Sequence, residues 1–459
     1  MRREVFAIEA NRDPHASIGV VSLGCPKNRV DSEVMLGLLK KAGYAITADP
    51  GKADVIIVNT CGFIEDAKQE SIDTILEMAA YKQAEKSPKL LVTGCLSQRY
   101  AEELYVELPE VDGFLGVHDY AHIVPVVETL LSGRRVTGWD APPCALPMAS
   151  RLLSTPGYAA YVKIAEGCDN RCSYCAIPEI RGPFASRAIG DVYDECASLA
   201  ERGVKEITLI AQDTTRYGED REGASLLPDL LTSLSSIAPL RWIRVLYCYP
   251  ERVTDRLLSA VVGLPKVCNY LDIPIQHIDA DILKKMNRKS TPGQIRVLYS
   301  RIRGLGAGFS LRTTLIAGFP GESEAQFESL CRFIKECPFD HLGTFAFSPE
   351  DGTAAAGLPG QVPQRVREGR RERLMQIQAE VAKALNRRRA GRIYEVLTEG
   401  YDPDSGRYFG RTYAQAPEID TKVFWRAEQG LSPGSFVKVR VTGSEEYDWI
   451  GEMTDEPAQ

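Results

Sequence analysis

The chain has 459 residues, of which 44% are hydrophobic and 25% are charged, as is typical of folded globular proteins. This length predicts about three domains. The formal net charge of -7 argues against broad, non-specific binding of nucleic acid and fits a basic partner. No apolar run is as long as a membrane span, and the segment MRREVFAIEANRDPH lacks the apolar core of a secretion signal. We therefore expect the twelve cysteines to lie in a reducing cytosol.

Residues 18–131 alternate short β-branched runs with amphipathic stretches. IGVVSLGC precedes DSEVMLGLLKKAGY, ADVIIVNTC precedes a helical segment to Tyr81, and KLLVTGC precedes SQRYAEELY. This βα pattern predicts an N-terminal domain built on an open parallel sheet with flanking helices.

A cysteine stands just after each of these three strands. We call Cys25, Cys61 and Cys95, spaced by 36 and 34 residues, the strand-end triplet. Loops that follow the strands of an open parallel sheet meet at its carboxyl edge, so we expect the three thiols to lie together. A glycine adjoins each cysteine, as expected where backbone approaches a bulky ligand. The alternative is three small buried side chains, a common role for free cysteine.

Residues 132–157 contain four prolines among small residues, which is typical of a linker between domains. Cys144 lies in this segment without a partner pattern, and we interpret it as structural.

From Tyr158 onward, six further strand-like runs each precede a helix-like segment. These runs are AAYVKIAEG, EITLIAQD, RWIRVLYCY, NYLDIPIQ, LRTTLIAGF and HLGTFAFS. Their order predicts an α/β fold with a partial (β/α)6 barrel over 158–390, whose active face is formed by the loops after the strands.

The loop after the first barrel strand, EGCDNRCSYCAIP, contains three closely spaced cysteines. We call Cys168, Cys172 and Cys175 the loop triplet. Their C-x-x-x-C-x-x-C spacing suits an iron–sulfur cluster with one iron left open. A zinc knuckle would need a fourth ligand nearby, and the nearest histidines, His122 and His277, are far along the chain. A disulfide is a weaker alternative.

The C-terminal third contains a basic helix and a β-rich segment. Residues 361–392 hold ten Lys or Arg against three Asp or Glu, and apolar residues at helical spacing predict one amphipathic helix within 363–391. Residues 391–459 predict a small antiparallel β-barrel with seven Lys or Arg and thirteen Asp or Glu. An acidic barrel argues against RNA as its partner and fits a basic protein.

We expect the two triplets to have different functions. A protein that only stored electrons would ligate its clusters through four cysteines and leave no iron open. At the loop triplet, an open iron can bind S-adenosylmethionine (SAM), and the reduced cluster can cleave it to a radical that attacks C–H bonds. Tyr174 is placed to pack on the adenine, with ordinary loop packing as the alternative. Polar residues at strand ends are further candidates for cofactor contact, with an ordinary structural role as the alternative for each: Gln212, Asp213, Thr214, Gln276, His277 and Thr313.

These motifs resemble the radical-SAM methylthiotransferases over nearly the whole chain. The family combines an N-terminal domain carrying an auxiliary 4Fe–4S cluster, a radical-SAM barrel and a C-terminal TRAM barrel. The resemblance implies that the strand-end triplet ligates the auxiliary cluster and the loop triplet the radical-SAM cluster. It also implies that both triplets are catalytic and that the enzyme needs SAM, a sulfur donor and an external electron donor.

Three segments resemble the RimO branch of this family: SLGCPKNRVDSE at 22–33, NTCGFI at 59–64 and RTYAQAPEID at 411–420. That branch methylthiolates the β-carbon of an aspartate in a decoding-centre protein of the small ribosomal subunit. We accordingly expect a cytoplasmic monomer that binds this basic protein. The basic helix is a candidate contact with ribosomal RNA, and a solvated polar face is the alternative for it. The alternatives are a transfer-RNA adenosine methylthiotransferase, a non-catalytic iron–sulfur protein and an RNA-binding module.

Overall fold

The computed structural model describes residues 4–5, 16–83, 86–138, 151–306, 308–428 and 430–458, so Cys144 lies outside the described residues. Within these ranges the chain folds into two compact units. The first spans 1–156, 161–187 and 348–356, and the second spans 157–160, 188–347 and 357–459. No helix in the described ranges is both long enough and apolar enough to cross a membrane.

In the described part of the first unit, seven strands form one sheet. β2, β4, β5, β6 and β7 lie side by side and parallel in that order, while β1 and β3 both pair with β2, antiparallel and parallel respectively. The strands are β1 Glu4–Val5, β2 Ser17–Ser22, β3 Ala45–Thr47, β4 Val55–Thr60, β5 Lys89–Gly94, β6 Gly113–Leu115 and β7 Val136–Gly138. The helices are α1 Pro26–Lys41, α2 Glu65–Ala80, α3 Cys95–Arg99, α4 Ala101–Glu107 and α5 Ile123–Leu131. The predicted open parallel sheet is confirmed.

Helices cover both faces of this sheet, which explains why its strands are continuous apolar runs. All six residues of β4 are buried. Val20 belongs to the core that contains Leu36 of α1, whereas its neighbour Val21 belongs to the core that contains Ile75 of α2. Successive side chains of a strand point to opposite faces, so a sheet covered on both sides requires apolar residues at every position.

Two local features differ from the sequence prediction. α1 begins at Pro26 rather than near Asp31, because proline fits the first helical turn, where a backbone N–H would have no partner in the helix. Val136–Gly138, within the predicted linker, forms the edge strand β7. The domain boundaries proposed from the sequence remain predictions.

The loop triplet lies in a loop that is closed at its base by two short strands. β8 (Ala159–Lys163) leads into β9 (Ala165–Glu166), which pairs antiparallel with β10 (Ala185–Ser186). Between β9 and β10 the chain forms the short helix α6 (Ile177–Arg181).

The second sheet has six strands among the residues that the structure covers, in the order β15-β14-β13-β12-β11-β8, and the pairs from β11 to β15 are parallel. The sequential order matches the predicted partial barrel. The strands are β11 Glu206–Ile210, β12 Trp242–Val245, β13 Val267–Asp272, β14 Ser310–Ala317 and β15 His341–Ala346. The helices are α7 Ile189–Glu201, α8 Glu219–Glu222, α9 Leu227–Ser235, α10 Asp255–Gly263, α11 Ala280–Lys285, α12 Pro292–Gly304 and α13 Glu324–Glu336.

The predicted amphipathic helix and C-terminal barrel are both present. Helix α14 (Gln364–Arg387) buries Leu374 and Val381. It precedes a closed barrel in the order β16-β17-β18-β20-β19, in which β18 and β20 are parallel and the other pairs antiparallel. Trp425 and Trp449 fill its interior. The strands are β16 Ile393–Asp402, β17 Arg407–Arg411, β18 Val423–Arg426, β19 Phe436–Glu445 and β20 Asp448–Met453.

Candidate active site

The strand-end triplet lies at one edge of the first sheet. Cys25 immediately precedes α1, Cys61 follows β4, and Cys95 is the first residue of α3, directly after β5. β2, β4 and β5 are neighbours in the sheet, so their carboxyl ends, and the cysteines that follow them, are adjacent. Cys61 and Cys95 are buried and Cys25 is half-buried.

Glycines allow the three loops to touch one another. A Cβ on Gly24 would lie 2.9 Å from Cβ and 3.2 Å from Sγ of Cys61, and a Cβ on Gly62 would lie 2.9 Å from the carbonyl carbon of Cys95. From the sequence we expect these glycines to make room for a ligand. In the structure they make room for the neighbouring loop. The resulting contact holds the triplet together.

The thiols lie close enough to influence each other's ionisation. Burial raises the pKa of Cys61, and the nearby Cys95 and Cys25 raise it further because neighbouring thiolates repel one another. Burial also raises the pKa of Cys95, against the opposing effect of Arg181. Three converging thiolates are therefore costly without a cation between them, and soft sulfur ligands are those that iron–sulfur clusters take. The donor set fits the implied cluster.

A buried polar network supports these loops from behind and explains the motif SLGCPKNRVDSE. The side-chain amide of Asn28 donates to the carbonyls of Leu23 (2.7 Å) and Thr60 (3.2 Å). The amide of Asn59 donates in turn to the Asn28 carbonyl (2.8 Å) and to Oγ of Ser32 (2.7 Å). Because these bonds cross between the β2 and β4 loops, they fix the backbone that carries the cysteines.

A second buried cluster, which the sequence analysis missed, joins the N-terminal sheet to the loop triplet's segment. We call Asp31, Lys163, Glu166 and Arg181 the charge quartet. Arg181 donates to Asp31 (2.9 Å) and Glu166 (3.2 Å), and Lys163 donates to both carboxylates. Burial alone would raise the pKa of Glu166, but Lys163 and then Arg181 outweigh it and hold that pKa well below its usual value. The signal in the sequence is the polar run N-R-V-D-S-E, which lies at the start of α1 and is largely buried.

Backbone hydrogen bonds shape the loop triplet. Cys168 N–H donates to the Gly182 carbonyl (3.1 Å), and Cys175 N–H donates to the Cys172 carbonyl (3.0 Å). Gly167 has a φ of +69°, and a Cβ there would lie 2.1 Å from the Pro183 carbonyl oxygen. The loop is therefore folded tightly on itself. Cys168 and Cys172 are buried, and Cys175 is half-buried.

The described cysteines form neither a disulfide nor a site for a single metal ion. None of the eleven cysteines that the structure describes forms a disulfide. Across the same residues, no three His, Cys, Asp or Glu side chains are arranged closely enough to hold a single metal ion. An iron–sulfur cluster is larger than one ion and holds its thiolates further apart.

The polar atoms of the predicted cofactor contacts differ in whether they already have a hydrogen-bond partner in the protein. Gln212 follows β11, and its buried Oε1 has no hydrogen-bond partner among the described residues. Asp213 is buried and accepts a hydrogen bond from Thr215 (2.5 Å). Thr313 is fully buried in β14, where its hydroxyl donates to the Ile273 carbonyl (2.8 Å). Gln212 thus has a free acceptor for a ligand, whereas the Thr313 hydroxyl serves the sheet.

Tyr174 lies in the first unit and is half-buried beside Cys175. Two polar atoms near strand ends of the second unit resemble Gln212 in being buried without a hydrogen bond from the described chain: Oε1 of Gln276 and Nε2 of His277. His277 lies 3.4 Å from Glu322. These residues remain predicted contacts.

Three family models match successive parts of the chain. Residues 17–116 match the Uncharacterized protein family UPF0004, residues 162–334 match the Radical SAM superfamily and residues 390–454 match the TRAM domain. A solved structure of the radical S-adenosylmethionine methyltransferase TsrM from Kitasatospora setae is 14% identical, with a TM-score of 0.56 and coverage of 74% of each chain, which supports the fold alone.

Three curated relatives that align over nearly their whole length carry the same name. Proteins called ribosomal protein uS12 methylthiotransferase RimO are 49% identical in Pelotomaculum thermopropionicum and Geobacter sulfurreducens, and 46% identical in Clostridium acetobutylicum. In each case the alignment covers 95% of this chain and 98% of the relative. Radical SAM enzymes use SAM and an iron–sulfur cluster, as the loop triplet predicts. The chain therefore belongs to the RimO family of radical-SAM methylthiotransferases.

Proposed function

We propose that this enzyme methylthiolates the β-carbon of an aspartate in ribosomal protein uS12, the substrate named for its relatives. The observation that carries the proposal is that both cysteine triplets belong to one compact unit. A protein that only stored electrons would need neither two three-cysteine sites nor a SAM-dependent barrel.

We assign the auxiliary cluster to the strand-end triplet and the radical-SAM cluster to the loop triplet. When bound, these two clusters supply sulfur for transfer and, with SAM and an electron, a radical that abstracts hydrogen. The chain carries the strand-end triplet on three neighbouring loops and the loop triplet on one tight loop, and it buries four of these six cysteines. Within the second unit we propose Gln212 as a side chain that contacts SAM, and Asp213 as a weaker candidate because it already accepts an internal hydrogen bond. Tyr174 remains a prediction from the sequence.

The overall reaction replaces one C–H bond of the aspartate with a C–S bond to a methylthio group. One SAM-dependent event provides the methyl group for sulfur, and a second provides the radical that removes the hydrogen. The reaction also needs a sulfur donor and an external electron donor.

The charge of the C-terminal barrel supports a protein substrate. Its segment, 391–459, has seven Lys or Arg and thirteen Asp or Glu, which favours a basic ribosomal protein over RNA. The basic residues of α14 are our proposed contact with ribosomal RNA. A ribosomal substrate places the enzyme in the cytoplasm, where we propose that it acts as a monomer.

The test is anaerobic reconstitution of the full chain with iron, sulfide, SAM and a reductant, followed by mass spectrometry. We expect methylthiolation of a peptide from the uS12 loop and none of transfer RNA. Methylthiolation of transfer RNA with an unmodified peptide would instead establish the transfer-RNA activity. Failure to form deoxyadenosine would show that the protein is not a radical enzyme.

A further inference from the structure

Arg181 places a buried guanidinium against one thiol of the strand-end triplet. Its Nη2 lies 3.4 Å from Sγ of Cys95 and 3.4 Å from Oδ1 of Asn28. Arg181 is only 1% exposed, so water does not screen its charge. A guanidinium N–H directed at a cysteine sulfur stabilises negative charge on that sulfur.

The four side chains of the charge quartet carry no net charge when they are considered without a cluster. It consists of two cations, Arg181 and Lys163, and two anions, Asp31 and Glu166, linked by direct hydrogen bonds. Removing one member therefore leaves a net charge beside Cys95, and the identity of that member sets its sign. Asp31 and Arg181 suit this comparison because they carry opposite charges and contact each other at 2.9 Å.

Arg181 also ends the helix that follows the loop triplet. α6 begins two residues after Cys175 and finishes at Arg181, whose side chain reaches Cys95. A single side chain thus connects the segment that carries one triplet to a cysteine of the other.

We propose that Arg181 is a positioning residue that sets the reduction potential of the cluster held by the strand-end triplet and fixes α6 against Cys95. The inference rests on the proposed function, in which that triplet ligates a cluster. Reduction adds negative charge to the cluster, and hydrogen bonds and positive charge near its sulfurs favour the reduced state. Arg181 therefore raises the potential, and Asp31 lowers it.

The test uses the full chain with Cys168, Cys172 and Cys175 all changed to Ala, so that only the strand-end triplet can hold a cluster. In this background we compare Arg181→Met, Arg181→Lys and Asp31→Asn by redox titration monitored by electron paramagnetic resonance. We expect R181M to disfavour reduction at least tenfold, equivalent to about 59 mV for one electron. We expect D31N to shift the potential in the opposite direction and R181K to stay near the parent.

Arg151 supplies the matched control. It is also buried and also pairs with a carboxylate of α1, Glu33, at 3.4 Å. Arg151→Met should lose similar packing, but it should shift the reduction potential by only a small fraction of the shift in R181M. Equal shifts in R151M and R181M, or shifts of one sign in R181M and D31N, would overturn the inference.

Iron content separates this inference from the proposed function. A parent background that binds no iron after reconstitution would refute the assignment of the strand-end triplet and the role of Arg181 together. A parent that binds iron, with a potential unmoved by all three variants, would refute only the role of Arg181. If R181M does not fold, D31N and R181K decide the question. The inference then requires a higher potential in D31N than in the parent, with R181K near the parent.

Discussion

Arg411 and Glu206 form a two-point ion pair, with distances of 2.7 and 3.2 Å, in which both side chains are 1% exposed. Glu206 begins β11, and Arg411 opens the segment RTYAQAPEID. Arg244 of β12 donates to the same carboxylate at 2.9 Å. The segment that resembles the RimO branch therefore anchors the C-terminal barrel to the radical-SAM sheet within the second unit.

Loss of the Glu206 charge should destabilise the second unit strongly. Glu206→Gln leaves the buried Arg244 without its carboxylate partner and leaves Arg411 with Glu399 alone. Breaking a buried ion pair in this way typically costs about 3–5 kcal/mol. Urea unfolding would measure this loss. The control is Asp229→Asn, which breaks an exposed pair with Arg256 and should cost no more than about 1 kcal/mol. Similar losses in the two variants would contradict the structural role of Glu206.

The same carboxylate makes stability depend on pH. Burial alone would raise the pKa of Glu206, but Arg411 and Arg244 outweigh it and lower that pKa below its ordinary value of 4.5. As pH falls, the unfolded chain binds this proton first, so acid favours unfolding. The stability difference between the parent and Glu206→Gln should be complete above pH 4.5 and shrink as the pH falls through the folded-state pKa. A difference that stayed constant from pH 6 to pH 3 would be inconsistent with this origin.

The two triplets should separate the two halves of the chemistry. Cys61→Ala should retain SAM cleavage and abolish sulfur insertion, because it removes a ligand from the strand-end triplet alone. Cys172→Ala should abolish both activities, because we assign formation of the radical to the loop triplet. Deoxyadenosine and methylthiolated peptide, measured in the same reaction, provide the readout. Sulfur insertion by either variant would refute the assignment.

Gly94 should not tolerate a side chain. Its φ is +103°, and a Cβ would lie 2.4 Å from the Thr60 carbonyl oxygen. Gly94→Ala should cost about 1–3 kcal/mol from backbone strain alone and reduce the iron bound beside it. Gly190→Ala is the matched control, since a Cβ at this position in α7 meets nothing within 4 Å. Thermal unfolding and iron analysis of both variants would test the comparison.

Gln212 and Thr313 should respond differently when SAM binding is measured. Gln212→Ala removes a buried acceptor that has no partner among the described residues, so we expect weaker binding of SAM to the reconstituted enzyme. Thr313→Val removes a hydroxyl bonded to the Ile273 carbonyl, so we expect lower stability with SAM affinity unchanged. Calorimetric titration with SAM distinguishes the two, and a large loss of affinity in Thr313→Val would restore it as a cofactor contact.

Local patterns in the sequence were sufficient to predict the architecture. Strand runs such as VIIVNT are apolar at nearly every position because both faces of their sheet are covered, and the cysteine that follows each run is therefore at a strand end. The position of the strand-end triplet follows from that regularity alone, since neighbouring parallel strands end at one edge. The spacing of the loop triplet likewise required no tertiary information.

The charge quartet and the role of each glycine were decided only by the tertiary structure. Asp31 and Arg181 are 150 residues apart, and neither periodicity nor a local motif indicates that two charged residues this far apart share a buried site. Buried charges are retained only with partners that satisfy them, and those partners come from separate elements packed together. The sequence by itself therefore determined which thiols are available for the two proposed clusters, and the packed structure determined that Arg181 contacts one of these thiols.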